Sequence, residues 1–237
     1  MNSRKLLALV KKELVHYFSS FMGYVVLFAF FIVSGYFYYF IMVESHQASM
    51  QPVFQNLIVI LLFVTPAITM RLWSEEEKNG TAELLKTSPL TVWEIVVGKY
   101  LGVCAFFLVA LLPTFVYLAL IMAYGNPDLL PLVANYLGYI LAAMSFFAIG
   151  LLASTLTENQ IIAAIITFAA LLMLWVIGFA GDNAQGSLGA FLKYLSIVQH
   201  TFDFFSGVID LSHIFYFLSV IFLGLFFSVK ILESKRT

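Results

Sequence analysis

The sequence predicts an all-α integral membrane protein with six transmembrane helices. Three observations carry this prediction. First, the 237-residue chain is 62% hydrophobic and only 11% charged. A soluble domain is about 45–50% apolar and about 25% charged, so the apolar surface of this chain exceeds what a core of its size can hide. Second, six stretches approach or exceed the ~20 apolar residues that a spanning helix needs: residues 22–42, 53–70, 99–124, 132–155, 161–179 and 213–232. Third, Lys and Arg gather in alternate connections between those stretches. Backbone groups in lipid must be bonded internally, which selects helices, and the strict alternation of a membrane β-barrel is absent.

Taken in order, residues 1–21 open with Arg4, Lys5, Lys11 and Lys12. Leu6, Leu9, Val10, Leu14, Tyr17, Phe18 and Phe21 recur at helical spacing on one face, and Lys5, Lys12, His16 and Ser19 lie on the other. This is the pattern of a helix lying in the headgroup plane, its basic face toward anionic lipid, feeding the first span. The following apolar stretch is too long for a signal-peptide core of roughly 7–15 residues, and no small-x-small cleavage site follows it. The first span ends in Tyr36, Phe37, Tyr38, Tyr39 and Phe40, an interfacial aromatic belt. The second span, residues 53–70, has the shortest apolar part. Pro66 and Pro113 are expected to kink the second and third spans.

Residues 71–98 form the one dense polar connection. Nine of the chain's 25 Lys, Arg, Asp and Glu residues lie between positions 71 and 99. Ser74 followed by Glu75, Glu76 and Glu77 fits a capped helix start with acids opposing the positive dipole end. Gly80 breaks that helix. Thr81 can cap a second short helix, which Ser88-Pro89 ends. Thr91 and Glu94 have the spacing of a capping box that opens the third span.

Eleven Lys and Arg lie in the N-terminal segment, the 71–98 connection with the adjoining Lys99, and the C-terminus; the remaining connections carry one, Lys193. The positive-inside rule therefore assigns both termini and the polar connection to the cytoplasm. Asn79-Gly80-Thr81 matches a glycosylation pattern, but a cytoplasmic loop never meets that machinery. Residues 180–212 face outside: glycines 181, 186 and 189 precede an apolar patch over 191–198. Asp203 and Asp210 either touch a cargo or accessory protein or belong to a solvated loop.

Several functions are excluded. The net charge of −1 leaves no nucleic-acid footprint. Cys104 is the single cysteine, so the chain can form no internal disulfide and no Cys-based metal site. No span centre carries Lys, Arg, Asp or Glu, against an ion-coupled carrier or proton relay. H-E-x-x-H and G-x-S-x-G are absent, against an intramembrane enzyme. No G-x-x-x-x-G-K-[ST] occurs, so the chain has no phosphate-binding loop of its own. Gly98 and Gly102, and Gly150 with Ser154, are small residues at four-residue spacing that allow close helix contact, either within one subunit or at a dimer seam.

The string from Glu76 to Gly102 reads E-x-x-N-G-T-x-E-L-L-x-T-S-P-L-T-x-x-E-I-V-x-G-K-x-x-G. It resembles the signature of ABC-2 type transporter permeases. Lys12-Glu13-Leu14, Tyr17-Phe18-Ser19-Ser20 and Gly23-Tyr24 are similar to the elbow helix of that family. Relatives often carry Pro after the second Ser, where this chain has Phe21. The likeness covers the six-span layout. Within the family it is closest to the permease subunits of Bacteroidota gliding-motility transporters, and nitrous-oxide-reductase maturation permeases are also similar.

The resemblance implies one membrane domain over residues 1–237 of a bacterial inner-membrane transporter. It has an elbow helix, a coupling helix in 71–98 and re-entrant outer helices in 180–212. ATP and Mg would sit on a separate ABC ATPase subunit, and this chain would hold no cofactor and catalyse nothing. The expected ATPase contacts are Glu75, Glu76, Glu77, Gly80, Thr81, Glu83, Leu84 and Leu85. The other partners implied are membrane lipid and a second permease, as homodimer or heterodimer, with an accessory periplasmic protein as a further candidate. A rival reading shares the same polar handle: a membrane anchor that recruits an ATPase without transporting a substrate.

Overall fold

A computed structural model describes residues 3–45, 49–125, 127–184 and 186–235. The described residues form helices and no strand. α1 (Ser3–Ser19) leads into α2 (Phe21–Ser45), followed by α3 (Gln51–Thr69). Two short helices, α4 (Ser74–Lys78) and α5 (Ala82–Thr87), fill the polar connection. Then come α6 (Val92–Leu111), α7 (Thr114–Tyr124), α8 (Leu129–Leu156), α9 (Gln160–Asn183), α10 (Gly186–Leu195), α11 (Ile197–Phe205) and α12 (Leu211–Ser234).

Among the described residues, six stretches are helical, long and apolar enough to cross a membrane. They correspond to α2, α3 with its continuation into α4, α6 with α7, α8, α9 and α12. The third begins at Val92, seven residues before the start expected from hydropathy. The physical reason is the capping box. Thr91 accepts from the Glu94 backbone N–H at 3.2 Å while the Glu94 carboxylate accepts from the Thr91 N–H at 3.0 Å, which nucleates the helix inside the polar stretch. Pro113 then divides this span. It has no N–H to give Val109, whose carbonyl instead takes the Leu112 N–H at 3.2 Å, and the chain restarts as α7. Pro66, by contrast, sits inside α3, which runs on to Thr69.

Two expected caps are corrected. The N-cap of α4 is Trp73, not Ser74, and the Ser74 hydroxyl bonds back to the Met70 carbonyl. Thr81 stands at the N-cap of α5 but its side chain makes no cap bond, because the hydroxyl is drawn to Glu76 instead.

The most buried span is α8, lined by Ala134, Gly138, Ala142, Ala143, Ala148, Gly150 and Ala153. Small side chains let backbones approach where lipid offers no hydrophobic drive between helices. A Cβ on Gly150 would lie 2.1 Å from the Thr69 hydroxyl of α3, and one on Gly224 of α12 would lie 3.0 Å from Ala148. Spans α2, α9 and α12 are peripheral and expose large apolar side chains, among them Phe28, Met173 and Phe222.

The ends of α8 mark the two ends of the bundle. Near its start, Pro131 and Gly138 touch Gly207 and Phe204, next to and within α11. Near its end, Ser154 and Thr155 touch Trp73 and Lys235. The 24 residues between Pro131 and Thr155 rise about 36 Å as a helix, so α10–α11 and α4–α5 lie at opposite ends.

Candidate functional site: the polar connection and its anchorage

The root of the connection is dry. Leu72, Trp73 and Ser74 are buried. The backbone N–H groups of Trp73 and Ser74 both donate to the Ser154 hydroxyl oxygen, at 2.9 and 3.0 Å, and that hydroxyl donates to the Met70 carbonyl at 3.2 Å. One small residue of α8 thus satisfies the donors that a helix start leaves orphaned. Ser154, singled out in the sequence as a packing residue, serves here as a hydrogen-bonding anchor.

The three consecutive glutamates turn toward the protein. Glu77 accepts from the Trp73 indole N–H at 2.8 Å and from Lys235 at 3.1 Å, and Lys235 also donates to the Thr155 carbonyl at 3.0 Å. Glu76 meets Lys99 at 3.2 Å and Lys12 at 3.4 Å, and it also accepts from the Thr81 hydroxyl. Glu75 lies 3.9 Å from the His16 ring nitrogen.

Beneath Glu76 lies a buried charge group. The Lys99 ammonium sits 2.9 Å from Glu13 of α1 as well as 3.2 Å from Glu76, and the Lys99 side chain is only 2% exposed. A lone buried ammonium is strongly penalised; two carboxylates within bonding distance remove most of that penalty. Lys99 therefore joins three elements: α1 through Glu13, the α4–α5 connection through Glu76, and its own helix α6.

The α1–α6 contact depends on two glycines. A Cβ on Gly98 would lie 2.4 Å from Leu9, and one on Gly102 would lie 2.5 Å from the Glu13 Cβ. Leu9, Glu13 and Tyr17 make one buried stripe on α1. Tyr17 stacks on Phe106 of α6 at 4.8 Å and donates to the Ile68 carbonyl of α3 at 3.1 Å. The apolar face of α1 is thus seated largely on α6, and its Lys5 reaches the Pro89 carbonyl at 3.0 Å.

What remains free is the tip. Gly80 has φ +71°, a left-handed conformation that glycine accepts and other residues resist; nothing crowds its Cβ position, so the constraint is conformational. Lys78, Asn79, Gly80, Glu83 and Leu84 are exposed, and Leu84 at 72% is the most exposed apolar side chain of the connection. Of the residues expected to contact a partner, Gly80, Glu83 and Leu84 stand at this surface, Thr81 and Leu85 are half-buried, and Glu75, Glu76 and Glu77 point inward. Among the described residues, no group of three or more His, Cys, Asp or Glu side chains is arranged to hold a metal ion.

Sequence reasoning missed Glu13, Lys12, Trp73 and the anchoring role of Ser154. One signal was present: Glu13 sits between Leu9 and Tyr17 at four-residue spacing, an acid within an apolar stripe, and Lys99 is likewise a lone charge in an apolar run.

Fold and site together define a multi-pass helical membrane protein carrying one braced polar projection. Residues 44–199, well over half of the chain, match the family described as ABC-2 family transporter protein, and the chain belongs to that family. Members of this family are generally transmembrane, non-catalytic subunits of ABC transporters, which work with an ABC ATPase. No curated protein gives a significant match.

Proposed function

We propose that this chain is the permease subunit of an ABC-2 type transporter in a bacterial inner membrane, both termini in the cytoplasm. Its α4–α5 tip docks on a separate ATP-binding subunit. The observation that carries this reading is the pairing of an exposed tip, led by Leu84, with a rigid root. A projection transmits force only if its base does not yield, and the base here is held by Lys99, Glu13, Glu76 and Ser154. Displacement of the tip passes through Glu76 to Lys99 and so to α1 and α6. ATP and Mg belong to the partner.

Two such subunits would enclose one path. The apolar faces of α2, α9 and α12 are available for lipid or for a second permease, the same chain or a homologue. Resemblance to gliding-motility permeases makes export or mechanical work in that process the first physiological setting to examine.

The test is Leu84→Asp. A charge at the centre of a docking patch is expected to abolish copurification of the ATP-binding subunit while insertion in the membrane is unchanged. Undiminished copurification overturns the docking assignment.

A further inference from the structure

At the end of the bundle opposite the α4–α5 tip, three ionisable side chains form one hydrogen-bonded chain. His200 of α11 places its Nε2 2.8 Å from the Tyr194 carbonyl of α10. Its Nδ1 lies 2.6 Å from Nδ1 of His213, in the first turn of α12. His213 Nε2 lies 2.6 Å from the Asp203 carboxylate of α11. The His200 residue is only 3% exposed. Tyr216 stacks on its ring at 3.8 Å and donates to the Leu195 carbonyl at 2.8 Å.

The protons in this chain can be counted. A carbonyl only accepts, so His200 Nε2 carries a hydrogen. Asp203 and His213 share one between them. The two Nδ1 atoms face each other, so one of them carries a hydrogen and the other does not. Three bonds hold three protons, and with the carboxylate the group is neutral as a whole. The count is the same whichever ring, or the carboxyl, carries the extra proton. A fourth proton on the rings has no place: it puts N–H on both Nδ1 atoms at 2.6 Å, donor against donor, and that bond must break.

We propose that His200, His213 and Asp203 form a proton-keyed clasp that fastens the α10–α11 hairpin to the start of α12 and releases it in acid. Burial lowers the His200 pKa from its ordinary value; the Tyr194 carbonyl opposes this, His213 reinforces it, and the Asp203 charge opposes it. The fourth proton therefore arrives only below the ordinary histidine range of about 6.5. The clasp is closed above that range and its contribution is lost as the pH falls through the lowered value. The other ionisable groups around the pair are Tyr194 and Tyr216, packed against His200, and Asp210, whose carboxylate caps α12 by accepting from the Ser212 N–H at 2.8 Å and acts electrostatically on His213. Lys193 of α10 is paired with Asp182 of α9 at 2.9 Å.

The experiment is hydrogen exchange on the full chain in lipid nanodiscs, read over residues 186–212 and corrected for intrinsic exchange rates. On acidification from about pH 7.5 to about pH 5, exchange in the wild type should accelerate by up to about tenfold per pH unit between the ordinary histidine value of about 6.5 and the lowered His200 value, because opening in that window takes up one proton. His200→Phe retains an aromatic ring against Tyr216 but offers no proton, and should give a flat profile. A wild-type profile without the step, or the same step in His200→Phe, overturns the proposal. A second measurement does not depend on that variant folding. In a chain with His16→Gln and His46→Gln, ¹⁵N spectra of the two remaining rings should show one of the two Nδ1 atoms without a hydrogen at neutral pH and two imidazolium rings in acid. Two imidazolium rings already at neutral pH, or no second imidazolium in acid, would equally overturn it.

Discussion

The Lys99 ammonium lies 2.9 Å from the Glu13 carboxylate, 86 residues earlier in the chain, and both side chains are almost completely shielded from water. This contact fixes the N-terminal helix to the third span and, through Glu76, fixes the polar connection to both. Its consequences can be measured one residue at a time.

Lys99→Met removes the cation and leaves Glu13 buried without its partner. Breaking one side of a buried pair costs ~3–5 kcal/mol. The apparent melting temperature of the purified protein should fall clearly, and the double variant Glu13→Gln with Lys99→Met should recover much of the loss. Equal destabilisation by the single and the double variant would contradict the pairing.

Gly102→Ala should be more damaging than Gly98→Ala. The added methyl at position 102 meets the Glu13 Cβ at 2.5 Å, next to the backbone of α1, whereas at position 98 it meets the movable end of Leu9 at 2.4 Å. Overpacking that forces backbone shifts costs ~1–3 kcal/mol. Thermal stability of the two variants, measured side by side, checks the order.

Ser154→Ala strips the common acceptor from the Trp73 and Ser74 N–H groups. A buried donor left without a partner costs ~1–3 kcal/mol. The loss should be concentrated at the root of the connection, so limited proteolysis between residues 71 and 91 should speed up more than unfolding of the whole protein does. Uniform destabilisation without local cleavage would count against the anchoring role.

Gly80→Ala forces a side chain into a left-handed conformation with no steric obstacle around it. The expected penalty is ~1–2 kcal/mol, borne by the tip alone. ATPase stimulation by the partner subunit should drop while the melting temperature hardly moves. Gly80→Asn should fall between the two, since Asn tolerates this conformation better than other side chains.

The legibility of the polar connection was uneven for a physical reason. Thr91 and Glu94 were readable because a capping box is settled within four residues. Gly80 was readable because a helix break is local as well. The orientation of Glu75, Glu76 and Glu77 was not. Three adjacent acids look like a solvated face, and only the arrival of Lys99, Lys12, Trp73 and Lys235 turns them inward.

By itself the sequence determined the number of spans, the place of the polar connection and its internal helix–glycine–helix–proline grammar. Transfer to lipid is a sum over about 20 neighbouring residues, and turns are decided over four or five. Only the tertiary structure decided which charges meet. Glu13 and Lys99, Ser154 and Trp73, His200 and His213 are pairs drawn together by helix packing, and no local rule gives the distance between residues on different helices.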